Sequence, residues 1–432
     1  MTLTSRTALL AALGALVVGL LMPSWTGVFV VEGLLALGVI ADLALAGSVR
    51  ALTFERAGDT TVRLGEPARV TLTVRNVSRD RPVRGLLRDA WPPSAGAHEQ
   101  RHALDIPPGE RRRVATALVP TRRGDRRAYR VTVRALGPLG LAARQGSHEV
   151  PWTVRVLPAF PSRRLLPSKL ERLRELDGRS AVLTRGRGTE FDSLREYVPG
   201  DDVRSIDWRA TARNQGVVVR TWRPERDRHI LIVLDTGRTS AGRIGDAPRL
   251  DAAMDAALLL TAVAARAGDR VDLLAHDRRV RADVRAASRT TVLTSFVQAM
   301  APLEPELVES DSPHLVAEII RRTKRRSLVV LLTGLDAETV REGLMPVLPQ
   351  LTDRHEVVVA AVADPALTGM AASRGTAEAV YNAAAAEREL AERRDTSADL
   401  RRHGVTIVDA PPGDLASLLA DTYLSLKLAG RL

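Results

Sequence analysis

Residues Thr7 to Met22 are apolar throughout, Pro23-Ser24-Trp25-Thr26-Gly27 breaks the run, and Val28 to Ala46 is apolar again apart from Glu32 and Asp42. Two such runs joined by a tight turn predict two membrane-spanning helices. The first run is short for a span and, behind Arg6, has the flank of a signal peptide. No small-x-small cleavage site follows it, however, and a second apolar run begins at once, so the hairpin is the better reading. Arg6 precedes the hairpin, Arg50, Arg56 and Arg63 follow it, and the turn carries no charge. The positive-inside rule then predicts a multi-pass protein of the inner (plasma) membrane with both termini and the soluble domains in the cytoplasm. Trp25 suits an interfacial anchor at the far side, and Glu32 and Asp42 lie where a carboxylate can reach the interface.

After residue 48 the pattern changes. Short alternating runs such as Ala68 to Val74 and Tyr129 to Arg134, punctuated by Pro and Gly, predict half-buried antiparallel strands and a small β-sandwich. Beyond Asp235 strand and helix periods alternate. Strands are expected at Ile230–Leu234, Val271–Ala275, Leu328–Leu332, Val357–Val362 and Val405–Val408. Helices are expected at about Arg249–Ala267, Thr290–Met300, Pro313–Arg322, Ala337–Leu348 and Ala371–Arg394. Such alternation predicts an α/β domain with a doubly wound, largely parallel sheet and a binding edge at the carboxyl ends of its strands. The expected organisation is a hairpin at 1–48, a strand-rich module at 49–158, a connector and charged segment at 159–228, and the α/β domain at 229–432.

Composition narrows the chemistry. The 63 Lys+Arg against 51 Asp+Glu give a net charge of +12, which raises nucleic acid and anionic membrane as partners. Nearly all of this charge is arginine, the lysines being Lys169, Lys324 and Lys427, and aromatics are too sparse for a base-stacking surface, so nucleic acid is set aside. The absence of cysteine excludes disulfides, thiolate chemistry, Cys-ligated zinc and iron–sulfur clusters. Gly186-Arg187-Gly188 is only a fragment of a phosphate loop, and neither a Gly-x-Ser-x-Gly elbow nor a His-Glu-x-x-His helix occurs. No catalytic constellation and no cofactor is called for.

The densest pattern lies between Arg185 and Asp235. Asp192, Glu196, Asp201, Asp202 and Asp207 interleave with Arg187, Arg195, Arg204, Arg209 and Arg213. Guanidinium–carboxylate pairing at this density fits an ion-pair lattice that pins an irregular segment, with Trp208 and Trp222 as apolar anchors. It fits equally a partner-binding surface built on Arg195, Asp201, Asp202, Arg204, Asp207 and Trp208. A metal-dependent hydrolase using the 192–207 carboxylates is the enzyme alternative. A basic membrane-surface sensor is the third.

The run from Gly188 to Arg213, GTEFDSLREYVPGDDVRSIDWRATAR, resembles the signature of the bacterial "domain of unknown function 58" family. The flanks agree: an apolar hairpin, a strand-rich module containing Arg122-Arg123-Gly124 and Gly137-Pro138-Leu139-Gly140-Leu141, then an α/β domain. The resemblance implies a von Willebrand factor A-like domain. It also implies a membrane-anchored adaptor that binds a protein partner and works with a MoxR-type AAA+ ATPase in assembly or maturation of other proteins.

Domains of that fold often hold Mg²⁺ through an Asp-x-Ser-x-Ser loop, a Thr from a second loop and an Asp from a third. Here the first loop reads Asp235-Thr236-Gly237-Arg238-Thr239, Ser310 stands for the second, and Thr333-Gly334-Leu335-Asp336 for the third. The implied ligand set is therefore Asp235, Thr239, Ser310 and Asp336, with Gly237 and Gly334 lacking the expected side chains and Asp336 useful only if its loop bends back. Arg238 either takes over the metal's electrostatic role and receives an acidic partner residue, or is an ordinary surface arginine.

Overall fold

The computed structural model describes residues 2–183, 190–213, 216–223, 228–285, 288 and 290–432, with the side chains at 177–183, 190–193 and 221–223 left undescribed. The chain divides into two compact units, Met1–Leu157 and Pro158–Leu432.

In the first unit the apolar runs form helices Ser5–Leu21 and Trp25–Leu45, the second capped by Ser24, whose hydroxyl accepts from Gly27 N. Among the described residues, only the segment Trp25–Ala51 contains a helix long and apolar enough to cross a membrane. Ser5–Leu21 has 17 residues, roughly 25 Å at the α-helical rise, against a hydrocarbon core of about 30 Å. Two complete spans therefore do not follow from length and composition. The helices pack on each other, and their leucines and Phe29 are turned outward.

Asp42 departs from expectation. It is fully buried, and its carboxylate accepts from the backbone N–H groups of Leu139, Leu141 and Ala142 at 2.6–2.8 Å. It does not reach toward an interface; it holds the helix end onto the Gly137–Leu141 turn, where a side chain at Gly137 would collide with it.

The rest of the unit is β-structure. Leu52–Gly58, Ala68–Asn76 and Arg111–Leu118 form one antiparallel sheet. The other contains Val83–Asp89, Arg101–Ile106, Gly124–Leu136 and Ala142–Leu157, with the short strand Thr61–Arg63 added in parallel. Alternate residues such as Leu72, Val74, Leu87, Val131 and Val133 fill the core between the sheets. Arg56 is in this core too. It pairs with Asp89 at 2.6 Å with both side chains 1% exposed, so it is no part of a membrane-facing charge. Asp89 is completed by Trp91 Nε1 and Thr116 Oγ1.

The second unit is built on a six-stranded sheet. Its spatial order is Val280–Val284, Arg270–His276, His229–Asp235, Leu328–Leu332, Glu356–Val362 and Thr406–Ala410. The last five strands pair in parallel, and the edge strand Val280–Val284 runs antiparallel. Among the described residues antiparallel pairings predominate, and the fold is a mixture of helices and sheets.

Helix Arg249–Arg266, buried on nearly every side, packs with Pro412–Leu428 against one face of the sheet. Val316, Ile319, Val340, Leu344, Leu348, Leu351 and Leu400 cover the other. Two helices differ from the sequence pattern. Ala337–Leu348 does not form an α-helix but a π-turn at Thr339–Leu344, and Ala371–Arg394 is replaced by Pro365–Ala371 and the longer Ala377–Arg402.

Candidate functional site

Apolar β-branched and leucine residues make His229–Asp235 a central buried strand, and its parallel neighbours end level with it: Asp235 is in register with His276, and Leu234 with Leu332. Three loops therefore meet where Asp235 emerges. Asp235 is 5% exposed, and four donors satisfy its carboxylate. Oδ1 accepts from Gly237 N at 2.8 Å and Ser310 Oγ at 2.5 Å; Oδ2 accepts from Thr239 Oγ1 at 2.9 Å and Thr333 Oγ1 at 2.6 Å. Thr333 was not singled out by the sequence; its signal was a hydroxyl placed immediately after the apolar strand Leu328–Leu332.

The two glycines are not simple losses. A Cβ on Gly237 would collide with Ser310 Oγ and come within 2.8 Å of Val308 O. A Cβ on Gly334 would collide with Asp336 Oδ2 and lie 3.0 Å from Thr239 Cβ. The place of each expected side chain is thus taken by an oxygen from elsewhere in the same cluster. Asp336 Oδ2 is itself buried without a hydrogen-bond partner.

The donor set is two carboxylates, Asp235 and Asp336, and three hydroxyls, Thr239, Ser310 and Thr333. All are hard oxygens of the kind Mg²⁺ accepts, and an unpartnered buried carboxylate oxygen is what a cation would satisfy. The residues present therefore fit the ion that the resemblance implied, with a different distribution of ligands along the chain. Among the described residues no group of three or more His, Cys, Asp and Glu side chains gathers, so a site built on those types alone is not formed.

Arg238 does not sit in the metal's place. Its guanidinium, half exposed, pairs with Glu309 at 3.3 Å, while Asp235 takes its hydrogen bonds from the four groups above. Leu307, in the same loop as Glu309 and Ser310, is 82% exposed.

Behind the cluster Thr236 donates to Asp277, which also accepts from the backbone of Arg278 and Arg279 and from Arg281. Burial pushes the Asp277 carboxyl up, but these donors together hold it below its ordinary value. His276, 1% exposed, meets His314 ring to ring at 2.8 Å between Nε2 and Nδ1. Burial first, and His314 second, push the His276 imidazole below its usual range, against Asp277, Asp235 and Asp311.

The charged segment is organised locally. Arg195 grips Asp201 with both guanidinium nitrogens at 2.7 and 2.5 Å, and Asp201 also accepts from Val198 N. Those contacts, the arginine first, hold the Asp201 carboxyl below the ordinary range. Asp202 accepts from Arg204 N, and Asp207 caps the turn Trp208–Thr211 through Arg209 N and Ala210 N while receiving Arg220 Nε at 2.7 Å. Asp201, Asp202 and Asp207 are thus each engaged by their own neighbours. Trp208 is 69% exposed, so most of its ring is in solvent rather than in a core. With Leu194, Val198 and Val203 it leaves apolar surface on the ribbon formed by Glu190–Glu196 and Val218–Arg223. Gly186, Arg187 and Gly188, and the side chains of Asp192 and Trp222, lie outside the described residues.

Comparison with known proteins adds a partial match to a family profile. The sequence profile described as "Protein of unknown function DUF58" matches residues 193–388. Uncharacterized proteins of Mycobacterium tuberculosis and Mycobacterium bovis are 29% identical over 194 residues, 44% of this chain and 60% of theirs. The chain thus spans 60% of the length of these mycobacterial relatives. An uncharacterized protein of Bacillus subtilis is 29% identical over 121 residues, 28% of this chain and 29% of its own. Among solved structures, a CARDB domain from Pyrococcus furiosus matches 24% of this chain and 91% of its own at 18% identity, with a TM-score of 0.19.

Proposed function

We propose, from the match of residues 193–388 to the DUF58 profile, that the protein is a membrane-anchored adaptor. In this reading its second unit is a doubly wound, von Willebrand A-like domain that docks a protein partner at the carboxyl edge of the sheet. The strand order in that unit, with five parallel strands and one antiparallel edge, supports the fold assignment. The observation that carries the docking reading is the rim beside Asp235. Leu307, 82% exposed, lies between Glu306, whose N–H donates to Thr236 O, and Val308, whose carbonyl accepts from Arg238 N, in the same loop as the exposed pair partner Glu309. In this reading the leucine is the apolar centre and the Arg238–Glu309 pair the polar rim of the contact.

The apolar helices Ser5–Leu21 and Trp25–Leu45 act as the anchor, crossing as a hairpin with the soluble parts on the cytoplasmic face. Their outward leucines and the exposed Trp25 at the turn support this. The partner is a MoxR-type AAA+ ATPase, and the process is assembly or maturation of other proteins. Affinity capture of the full chain from solubilised native membranes tests the reading. Recovery of an AAA+ ATPase, lost in the Leu307→Asp variant, is expected; a partner that co-purifies equally with both forms contradicts it.

A further inference from the structure

The helix Trp25–Leu45 carries two carboxylates, and their surroundings differ. Asp42 is buried and accepts from three backbone N–H groups. Glu32 is exposed, and among the described residues no hydrogen bond or ion pair reaches its carboxylate. Phe29 and Ala36, one turn to either side, are exposed with it, Phe29 by 69%. A Cβ on the adjoining Gly33 would meet nothing within 4 Å. This face of the helix is therefore turned away from Ser5–Leu21 and from the sandwich.

Depth gives this exposure its consequence. The helix has 21 residues, about 31 Å at the α-helical rise, so all of it is needed to cross a hydrocarbon core of about 30 Å. Glu32 comes seven residues after Trp25, which sets its Cα about 10 Å in from the turn. The tilt of the Cα–Cβ bond toward the helix N-terminus recovers only part of that depth. Glu32 therefore does not reach the interface, contrary to what its place in the apolar run suggested; it stands about a third of the way across. Ionisable side chains at such depth are costly and face a cavity or a compensating partner. Glu32 and Asp42 are the only ionisable residues in the two apolar runs, so the hairpin supplies no cation of its own.

We infer that the face formed by Phe29, Glu32, Gly33 and Ala36 docks a transmembrane helix of another protein, one that carries a lysine or arginine at the depth of Glu32. Charge complementarity selects this occupant. A second copy of the chain would set one Glu32 against another, and lipid headgroups stay at the interface, above that depth. Gly33 and Ala36 let the incoming backbone come close, and the ion pair, shielded from lipid between the two helices, gives the contact its specificity. The inference rests on the anchor reading only in requiring that Trp25–Leu45 cross a membrane. It is independent of docking on the rim beside Asp235.

The test is energy transfer in phosphatidylcholine vesicles between the full chain and polyleucine transmembrane peptides. The chain has no cysteine, so a donor dye on Met22→Cys, at an exposed position beside the turn, labels one place. The acceptor-labelled peptides are all-leucine, or carry one lysine or one glutamate a third of the way along. The chain with Glu32 associates about fivefold or more tightly with the lysine peptide than with the all-leucine one. Glu32→Leu, which suits the bilayer better and stays inserted, loses that preference, and Glu32→Lys transfers it to the glutamate peptide. Equal transfer to the lysine and all-leucine peptides from a chain that resists carbonate extraction overturns the inference and leaves the anchor reading standing. Transfer between two labelled copies of the chain that disappears in Glu32→Leu overturns it in favour of self-association. A chain stripped from the vesicles by carbonate removes the anchor reading and the inference together.

Discussion

At the scale of single residues, the surroundings of Asp235 show how little freedom the loop has. The hydroxyl of Ser310 occupies the space in front of Gly237, where a Cβ would also approach Asp235 Oδ1 to 3.1 Å. Gly237→Ala is therefore expected to destabilise the second unit by about 1–3 kcal/mol through overpacking, a loss read directly from urea denaturation. A gain of stability would show that the loop yields freely. His355 gives a second test, away from this site. It is buried, its Nε2 lies 3.1 Å from Thr323 Oγ1, and burial first, then Arg354 and His229, hold the imidazole below its ordinary value of 6.5. A histidine depressed in the folded state stays neutral while the unfolded chain takes up a proton. Its contribution to stability is therefore full above about pH 6.5 and is lost as the pH falls through the folded value. His355→Leu should make the second unit's denaturation midpoint fall less steeply between neutral and mildly acid pH. An unchanged slope would remove His355 from the account.

The start of the loop at Asp235 was legible, because an apolar strand ending in Asp fixes where the loop begins, while Thr239 and Ser310 were named only through the family resemblance. Thr333 and the placement of Asp336 were not legible. Which oxygen fills the space before a glycine depends on how two loops distant in sequence pack, and periodicity carries no record of that. For Trp208 the sequence offered both a buried anchor and a partner-binding aromatic, and its exposure of 69% fits a buried anchor poorly.

At the scale of elements, long buried strands were the most legible features, since unbroken Val, Leu and Ile runs such as Leu328–Leu332 admit few alternatives. The edge strand Val280–Val284 and the helix Pro412–Leu428 were not singled out. The first is polar and half exposed, and the second lacks a side-chain N-cap hydrogen bond. The junction between helix Trp25–Leu45 and the turn Gly137–Leu141 was hidden because its bonds run from a side chain to backbone groups about a hundred residues away. Asp42→Ala leaves those three N–H groups without an acceptor in a buried place. A loss of about 3 kcal/mol or more is expected, with Asp42→Asn intermediate. Limited proteolysis of the 137–142 turn provides the measurement, and equal resistance in all three proteins would show that the turn is held by something else.

At the scale of the whole molecule, two units of different construction share one chain: an apolar helix pair fastened to an antiparallel sandwich, and a mixed sheet covered by helices. The hydrophobic period changes along the chain as the architecture does, from apolar runs to alternating strands to alternating strands and helices. Composition and pattern could not identify a partner, since recognition at a protein surface resides in a few exposed groups that no period distinguishes. The rim of Leu307, Arg238 and Glu309 is where the adaptor reading places that recognition. The most direct test is a photo-crosslinking amino acid introduced at position 307 of the full chain in its native membrane. The account predicts a discrete covalent adduct with an AAA+ ATPase that is absent when the same group is placed at the equally exposed Tyr381. Adducts that are no stronger at 307 than at 381, or that contain only lipid, would contradict it.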